Sequence, residues 1–316
     1  MTTLRYGILS TSSIAPRFIA AVRAVGAGEI VAVSSRTLEK AEEKAKVWQI
    51  PKAYGSHTEL LQDDNINIVY ISAVNAQHYP LAKQALQMGK HVICEKPCTT
   101  TAWHTEELFA LAKEKGLFLM EAQKMLFLPV IQEVKRRISE GYFGEIHMVE
   151  MSHSFPATYN AWQFDKSLGG GTLLSSGIYA AELLIWLFGK IKTIGGEKSA
   201  LADGTEWQYL LSGKMENGVL FSLKNSTRVT LDNTAYIYGT EGYVEIPEYW
   251  KARRAIFHRN GFAPETVEIP CEYELVYEAE HIYKCISEGK SSSPVMTEQL
   301  SLAGIKALET VLASWE

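Results

Sequence analysis

At 316 residues the chain is longer than one typical domain and comfortable for two, each able to bury its own core. A hydrophobic fraction of 47% and a charged fraction of 21%, with no low-complexity tract, exclude disorder and indicate an ordinary folded protein. The formal net charge of −5, with signs interspersed, excludes a basic face for nucleic acid; the short group Lys251, Arg253, Arg254 and Arg259 reads as a solvated strand face.

The chain enters a predicted strand directly, without the basic region, apolar core and small-residue cleavage site of an export signal, so a cytoplasmic location is expected. The most apolar stretch, 178–188, is far shorter than the ~20 residues that span a bilayer. It also contains Glu182, so it reads as a core helix and no membrane association is expected. Cys94, Cys98, Cys271 and Cys285 lack the spacings of a metal site and read as small apolar fillers in a reducing compartment. No metal is expected.

From 4 to 120, short apolar runs alternate with amphipathic stretches at the spacing of βαβ units. The pattern predicts strands at 4–10, 29–34, 66–72, 91–94 and 117–120, with helices at 14–25, 37–48, 76–88 and 100–114 between them. Such alternation requires a parallel sheet with right-handed crossovers. The fold class is therefore α/β, with a doubly wound domain over 1–121. After it the character changes. A helix to 139, a glycine-containing turn at Gly141 and Gly144, a strand at 146–154, an apolar helix at 172–188 and alternating strands through Ile269 predict an α+β domain with a mostly antiparallel sheet over 122–316. Helices at 274–288 and 297–313 close it, the second capped by Thr297.

The first strand-to-helix turn carries Ser10-Thr11-Ser12-Ser13-Ile14-Ala15-Pro16. In dinucleotide-binding turns, glycines let the backbone approach the pyrophosphate, and the following helix offers free N–H groups at its positive end. Here Ser10 and Ser12 occupy the first two glycine positions and Ala15 the third. The other reading of the turn is a serine-rich helix cap. The second strand ends in Ser34-Ser35-Arg36-Thr37. An acidic residue there binds the ribose diol of NAD, whereas hydroxyls beside an arginine suit a 2′-phosphate, so NADP(H) is favoured with NAD(H) as the alternative.

His91-Val92-Ile93-Cys94-Glu95-Lys96-Pro97 sets a lysine at the carboxyl end of a buried strand, the edge at which open α/β sheets bind ligands. Further along, Asn75-x-x-His78, Met120-Glu121-Ala122 and Gly169-Gly170-Gly171-x-Leu173-Leu174-x-x-Gly177-x-Tyr179 follow in order. With Ser35-Arg36 and 50–54, this ordered set resembles the Gfo/Idh/MocA oxidoreductases over nearly the whole chain, nearest the branch of dimeric dihydrodiol dehydrogenases and NADP-dependent xylose dehydrogenases.

The resemblance implies an N-terminal Rossmann domain, a C-terminal domain whose large open sheet serves for dimerisation, and hydride exchange between a nicotinamide and a carbon of a sugar, polyol or related diol. A homodimer is expected. It also implies that Lys96 is the lysine of the Glu-Lys-Pro motif, that Tyr179 is the acid/base, that Asn75, His78 and Glu95 lie beside the cofactor, and that the bond before Pro97 is cis. A phenol near the Lys96 ammonium would be drawn toward its phenolate form.

Two positions depart from the resemblance. Ser175 stands where many relatives have an aspartate, four residues before the acid/base, and Leu126 where many have an arginine. Lys124 would restore charge to the pocket, or is an exposed lysine. The loop 155–164 carries Tyr159 and Trp162, aromatic faces that would pack on a sugar or serve simple packing. The alternative to an enzyme is a catalytically impaired cofactor-binding sensor or regulatory protein of the same fold, which Ser175 and Leu126 motivate.

Overall fold

A computed structural model describes residues 3–155 and 161–316. Contacts divide the chain into two compact units, Met1–Gln123 with Tyr273–Ser301, and Lys124–Glu272 with Leu302–Glu316.

The first unit is built as β1 (Arg5–Leu9), α1 (Ala15–Val25), β2 (Glu29–Ser34), α2 (Leu38–Trp48), β3 (Lys52–Tyr54), α3 (His57–Leu61), β4 (Ile68–Ile71), α4 (Asn75–Gln87), β5 (His91–Glu95), α5 (Ala102–Glu114) and β6 (Leu119–Ala122). Its strands form one sheet in the order β3-β2-β1-β4-β5-β6, every pairing parallel. Both faces are covered by helices, which is why β4 and the middle of β5 are buried at every residue rather than alternately. Ile71, Val92, Leu108 and Leu119 belong to the core on one side. On the other, Phe18 of α1 stacks on Tyr70 of β4 with ring centroids 3.8 Å apart. Thr37, Ser56 and Thr101 cap α2, α3 and α5 with their hydroxyls. Strand order reverses between β1 and β4, and the carboxyl ends of those strands form the crevice where such sheets take their ligands.

β3 and α3, of three and five residues, are absent from the predicted elements because they carry too little periodicity to be seen in the sequence. They explain Gly7: a side chain there would meet Leu60 Cδ2 of α3 at 2.5 Å, so the glycine lets α3 lie directly on β1.

The second unit holds α6 (Pro129–Ser139), β7 (Ile146–Ser154), α7 (Ile178–Phe188), β8 (Ile191–Ala200), β9 (Glu206–Met215), β10 (Leu220–Ser226), β11 (Thr234–Gly239), β12 (Gly242–Pro247), β13 (Arg254–Arg259) and β14 (Glu265–Glu268). Eight strands form a sheet in the order β14-β13-β12-β11-β7-β10-β9-β8, antiparallel except where β7 and β10 run parallel. One face is core: Val149, Met151, Leu211, Phe221, Leu223, Ile237, Val244 and Phe257 are all nearly inaccessible. The alternate residues point the other way, and Met148, Leu210 and Leu220 on that face are exposed by 43%, 61% and 47%. The stretch Lys166–Phe188 is long and apolar enough to cross a membrane, but 83% of its most apolar window is buried inside the protein, the condition of a core helix.

Two further helices, α8 (Val276–Ser287) and α9 (Glu298–Ser314), end the chain. The division read from the sequence at 121/122 gave this whole end to the second domain, whereas contacts group Tyr273–Ser301 with the first unit. The cause is long-range packing. Arg17 of α1 pairs with Glu274, the Leu119 N–H donates to the Ser291 carbonyl at 3.2 Å, and Ser301 Oγ donates to Glu121 at 2.5 Å.

Candidate cofactor and active site

The turn from β1 into α1 departs from regular structure at Ser10, whose φ of 95° lies in the region that favours glycine. For an L-residue this costs roughly 1–2 kcal/mol. The Ser10 N–H donates to the Ser34 carbonyl at 3.2 Å, which holds the turn, and Ser12 Oγ donates to Ser72 Oγ at 2.8 Å just past β4. The turn is thus tied on both sides of the switch point. Thr11, Ser12 and Ile14 are half-buried and Ser13 is exposed. No side chain caps the start of α1, no acidic residue lies in its first turn, and Ala15 is fully buried, so nothing bulkier fits. A left-handed turn and an uncapped helix start with no acidic residue in its first turn fit a dinucleotide's pyrophosphate.

At the end of β2, Ser35 is 5% exposed and its N–H donates to the Tyr54 carbonyl at 3.2 Å. Arg36 is exposed, and among the described residues no ion pair holds it. Thr37 is already employed, its Oγ1 accepting the Lys40 N–H at 3.4 Å as the cap of α2. Ser35 and Arg36 therefore fit a 2′-phosphate better than Thr37 does.

At the end of β5, Glu95 accepts the hydroxyl of buried Tyr70, and Lys96 follows half-buried. The Lys96–Pro97 peptide is cis. Asn75 opens α4 at 4% exposure, and one turn on His78 is 1% exposed, with Nδ1 2.8 Å from the Pro97 carbonyl. Burial pushes the His78 pKa down, keeping the ring neutral. Cys94 and Cys98, flanking the lysine, are closed off; Cys94 Sγ donates to the Cys98 carbonyl, and burial raises its thiol pKa, so both act as fillers.

In the second unit, Tyr179 is 8% exposed in the first turn of α7, and the His153 ring of β7 lies edge-on to it at 6.3 Å. His153 in turn packs against Trp250 at 3.8 Å and Phe155 at 4.1 Å. No spacing signal could have named His153, Phe155 and Trp250, because they meet only through the sheet order that sets β7 among β10, β11 and β12.

Leu173–Gly177, just before α7, is a π-helical turn. Ser175 Oγ donates to the Gly171 carbonyl, and Ser176 Oγ donates to Thr172 O at 2.9 Å while accepting from Asn225 Nδ2 at 2.7 Å. Such back-bonding competes with the backbone ladder and loosens a helix. The glycine run has a steric cause: a Cβ on Gly170 would meet three carbonyl oxygens at 2.7–2.8 Å, and one on Gly171, at φ 107°, would strike the Glu206 carboxylate. Buried Glu206, its pKa raised by burial, accepts the Leu173 N–H at 2.8 Å and closes the start of this helix.

Lys124 is only 7% exposed, in the 3₁₀ turn Lys124–Phe127 with Leu126 fully buried, so it is not a surface lysine. Trp162 is half-buried in the 3₁₀ turn Ala161–Phe164; Tyr159 falls outside the described residues. The cofactor-site candidates and Lys96 thus belong to the first unit, and Tyr179, Ser175, Trp162 and Lys124 to the second.

Comparison with known proteins agrees with this architecture. Residues 4–123 match the model of an oxidoreductase family with an NAD-binding Rossmann fold, and residues 131–245 match the GFO/IDH/MocA C-terminal domain. The chain is 33% identical over 306 residues to a trans-1,2-dihydrobenzene-1,2-diol dehydrogenase of Mus musculus, covering 93% of this chain and 91% of the relative. Among solved structures, a 3-ketoreductase from Actinomadura kijaniata in complex with NADP and TDP-benzene superposes with a TM-score of 0.89 at 23% identity, covering 99% of this chain and 98% of that one. A levoglucosan dehydrogenase in complex with NADH and levoglucosan gives 0.87 at 20% identity, with 100% and 98% covered.

Proposed function

The chain belongs to the Gfo/Idh/MocA family of oxidoreductases, and from that premise we propose that it is an NADP(H)-dependent dehydrogenase or reductase acting on a CH–OH carbon of a sugar, polyol or related diol. The observation that carries the reading is Ser10, held at positive φ where a dinucleotide-binding turn needs it, with Arg36 exposed at the end of the next strand. Dihydrodiol and sugar chemistry among the relatives supports the substrate class.

In this reading, the turn set by Ser10 presents the backbone N–H groups from Thr11 to Ile14 to the pyrophosphate, and Ser35 with Arg36 holds the 2′-phosphate. Asn75, His78 and Glu95 shape the nicotinamide end. When bound, the nicotinamide supplies or accepts the hydride. Tyr179 gives its phenolic proton to a carbonyl oxygen in reduction and takes the alcohol proton in oxidation. The ammonium of Lys96 favours the phenolate and polarises that oxygen. No metal has a part in these steps. Trp162 and Ser175 contribute to the substrate pocket. We also propose a homodimer, formed through the partly exposed sheet face that carries Met148, Leu210 and Leu220.

Direct titration tests the cofactor, with NADPH expected to bind more tightly than NADH. Lys96→Met and Tyr179→Phe are expected to lose ~10²–10⁴-fold in turnover while keeping fold and cofactor affinity. Wild-type turnover in both variants sinks the mechanism. A second reading, a cofactor-binding sensor that has lost catalysis, draws on Ser175, whose hydroxyl is committed to a backbone carbonyl, and on buried, apolar Leu126. It requires cofactor binding with no turnover across aldoses, inososes and diols.

A further inference from the structure

Ser34 closes β2 and is shut from solvent, and both its carbonyl and its hydroxyl are engaged at the edge of the candidate cofactor site. Its carbonyl accepts the Ser10 N–H at 3.2 Å, the bond that holds the left-handed turn. Its hydroxyl lies 2.8 Å from Nδ1 of His57 and 3.4 Å from the Ile8 carbonyl. The next residues are Ser35 and Arg36, whose strand end is fixed from the other side by the Ser35 N–H to the Tyr54 carbonyl.

His57 is the first residue of α3 and is itself held: Ser56 caps the helix by accepting the Glu59 N–H at 3.2 Å. The register also brings α3 to this spot. Leu9 pairs with Ser34 and Gly7 with Ala32, so Gly7 and Ser34 face the same side of the sheet, and Gly7 is the residue that lets Leu60 of α3 approach. A single side-chain hydrogen bond therefore anchors α3 to the residue from which both the pyrophosphate turn and the 2′-phosphate reader depart.

We propose that His57 is a positioning residue for the cofactor, acting through Ser34 to fix the carboxyl end of β2 and thereby sharpening the preference for NADPH over NADH. The inference rests on the cofactor reading above. His57 acts on the dinucleotide only through Ser34: its hydrogen bond fixes where Ser10 turns and where Arg36 leaves the strand.

The test measures dissociation constants for NADPH and NADH by fluorescence titration, with unfolding midpoints recorded alongside. His57→Phe keeps aromatic volume and removes the bond; NADPH binding is expected to weaken about 3–10-fold, the range of one hydrogen bond, and NADH binding to weaken less. His57→Asn, whose amide can reach the Ser34 hydroxyl, is expected to restore the preference. Ser34→Ala should match His57→Phe, and the double variant should be no worse than either single one, the signature of a shared interaction. A merely structural histidine lowers the unfolding midpoint but leaves the NADPH-to-NADH ratio unchanged, and that result overturns the proposal. Additive losses in the double variant overturn it too. If the wild-type protein binds neither dinucleotide, the cofactor reading itself falls and the positioning role with it.

Discussion

The imidazole of His78 is hydrogen-bonded through Nδ1 to the carbonyl oxygen of Pro97 at 2.8 Å, joining the first turn of α4 to the turn that carries Lys96. Its Nε2 lies 3.1 Å from the Ala73 carbonyl, and burial keeps the ring neutral, so its one N–H serves one of these carbonyls at a time. His78→Leu keeps the volume and removes the donor. It leaves a buried carbonyl without its partner, a loss of about 1–3 kcal/mol of stability. Because the Pro97 turn loosens, kcat is expected to fall as well. Urea denaturation and steady-state rates check both, and a variant with wild-type stability refutes the assignment.

Acid is expected to destabilise the fold, beginning well above the carboxylate range. Burial lowers the pKa of His57, His78 and His91, and burial with Lys290 and Lys284 nearby brings His281 to about 4. Unfolding frees these rings to take up protons near their ordinary 6.5, so the unfolded chain binds more protons than the folded one. Their contribution is therefore complete above pH 6.5 and is lost as pH falls through the folded values. Glu133, held at about 2 by hydrogen bonds from Arg136 and Arg137 despite partial burial, extends the same trend below pH 4. Denaturation midpoints at pH 7.5, 6.0 and 5.0 should decline in that order, and His281→Gln should flatten the slope between 6.5 and 4. A midpoint that rises toward pH 5 contradicts the sign.

Arg36 has no acidic partner in the described structure, so its charge is free to meet a phosphate. Arg36→Ala is expected to weaken NADPH by roughly 10–100-fold, the loss of a charge-assisted hydrogen bond worth about 1.5–3 kcal/mol, and to leave NADH within about twofold. Isothermal titration with both cofactors measures this. Equal losses for the two place Arg36 elsewhere than at the 2′ position.

The parallel-sheet half was legible because buried strands read as unbroken apolar runs between amphipathic helices, and Lys96 stands out as a candidate because a lysine ending such a run has few other uses. Tyr179 becomes a candidate only as one member of an ordered set of motifs. Local patterns did not reveal β3 and α3, which are too short to repeat, and with them went the contact between Ser34 and His57. Nor did they reveal that 273–301 returns to the first unit, since the bonds from Arg17, Leu119 and Glu121 span between 170 and 260 residues of chain. Lys124 looked like a surface charge because neighbouring residues say nothing of the 3₁₀ turn that buries it.

Ser10 offers the sharpest separation of backbone from side chain. At φ 95° it pays roughly 1–2 kcal/mol that glycine would not. Glycine also raises the entropy of the unfolded chain, by about 0.5–1 kcal/mol, which returns part of the gain. Ser10→Gly is therefore expected to be neutral or stabilising by up to about 1 kcal/mol, and to keep NADPH affinity, because the Ser34 carbonyl still accepts its N–H. Ser10→Val puts a β-branched residue where it fits worst, so both stability and affinity should fall together. Thermal denaturation with and without NADPH checks the pair. A glycine variant that loses affinity would show that the hydroxyl, and not the turn of the backbone, is what the cofactor meets at this position.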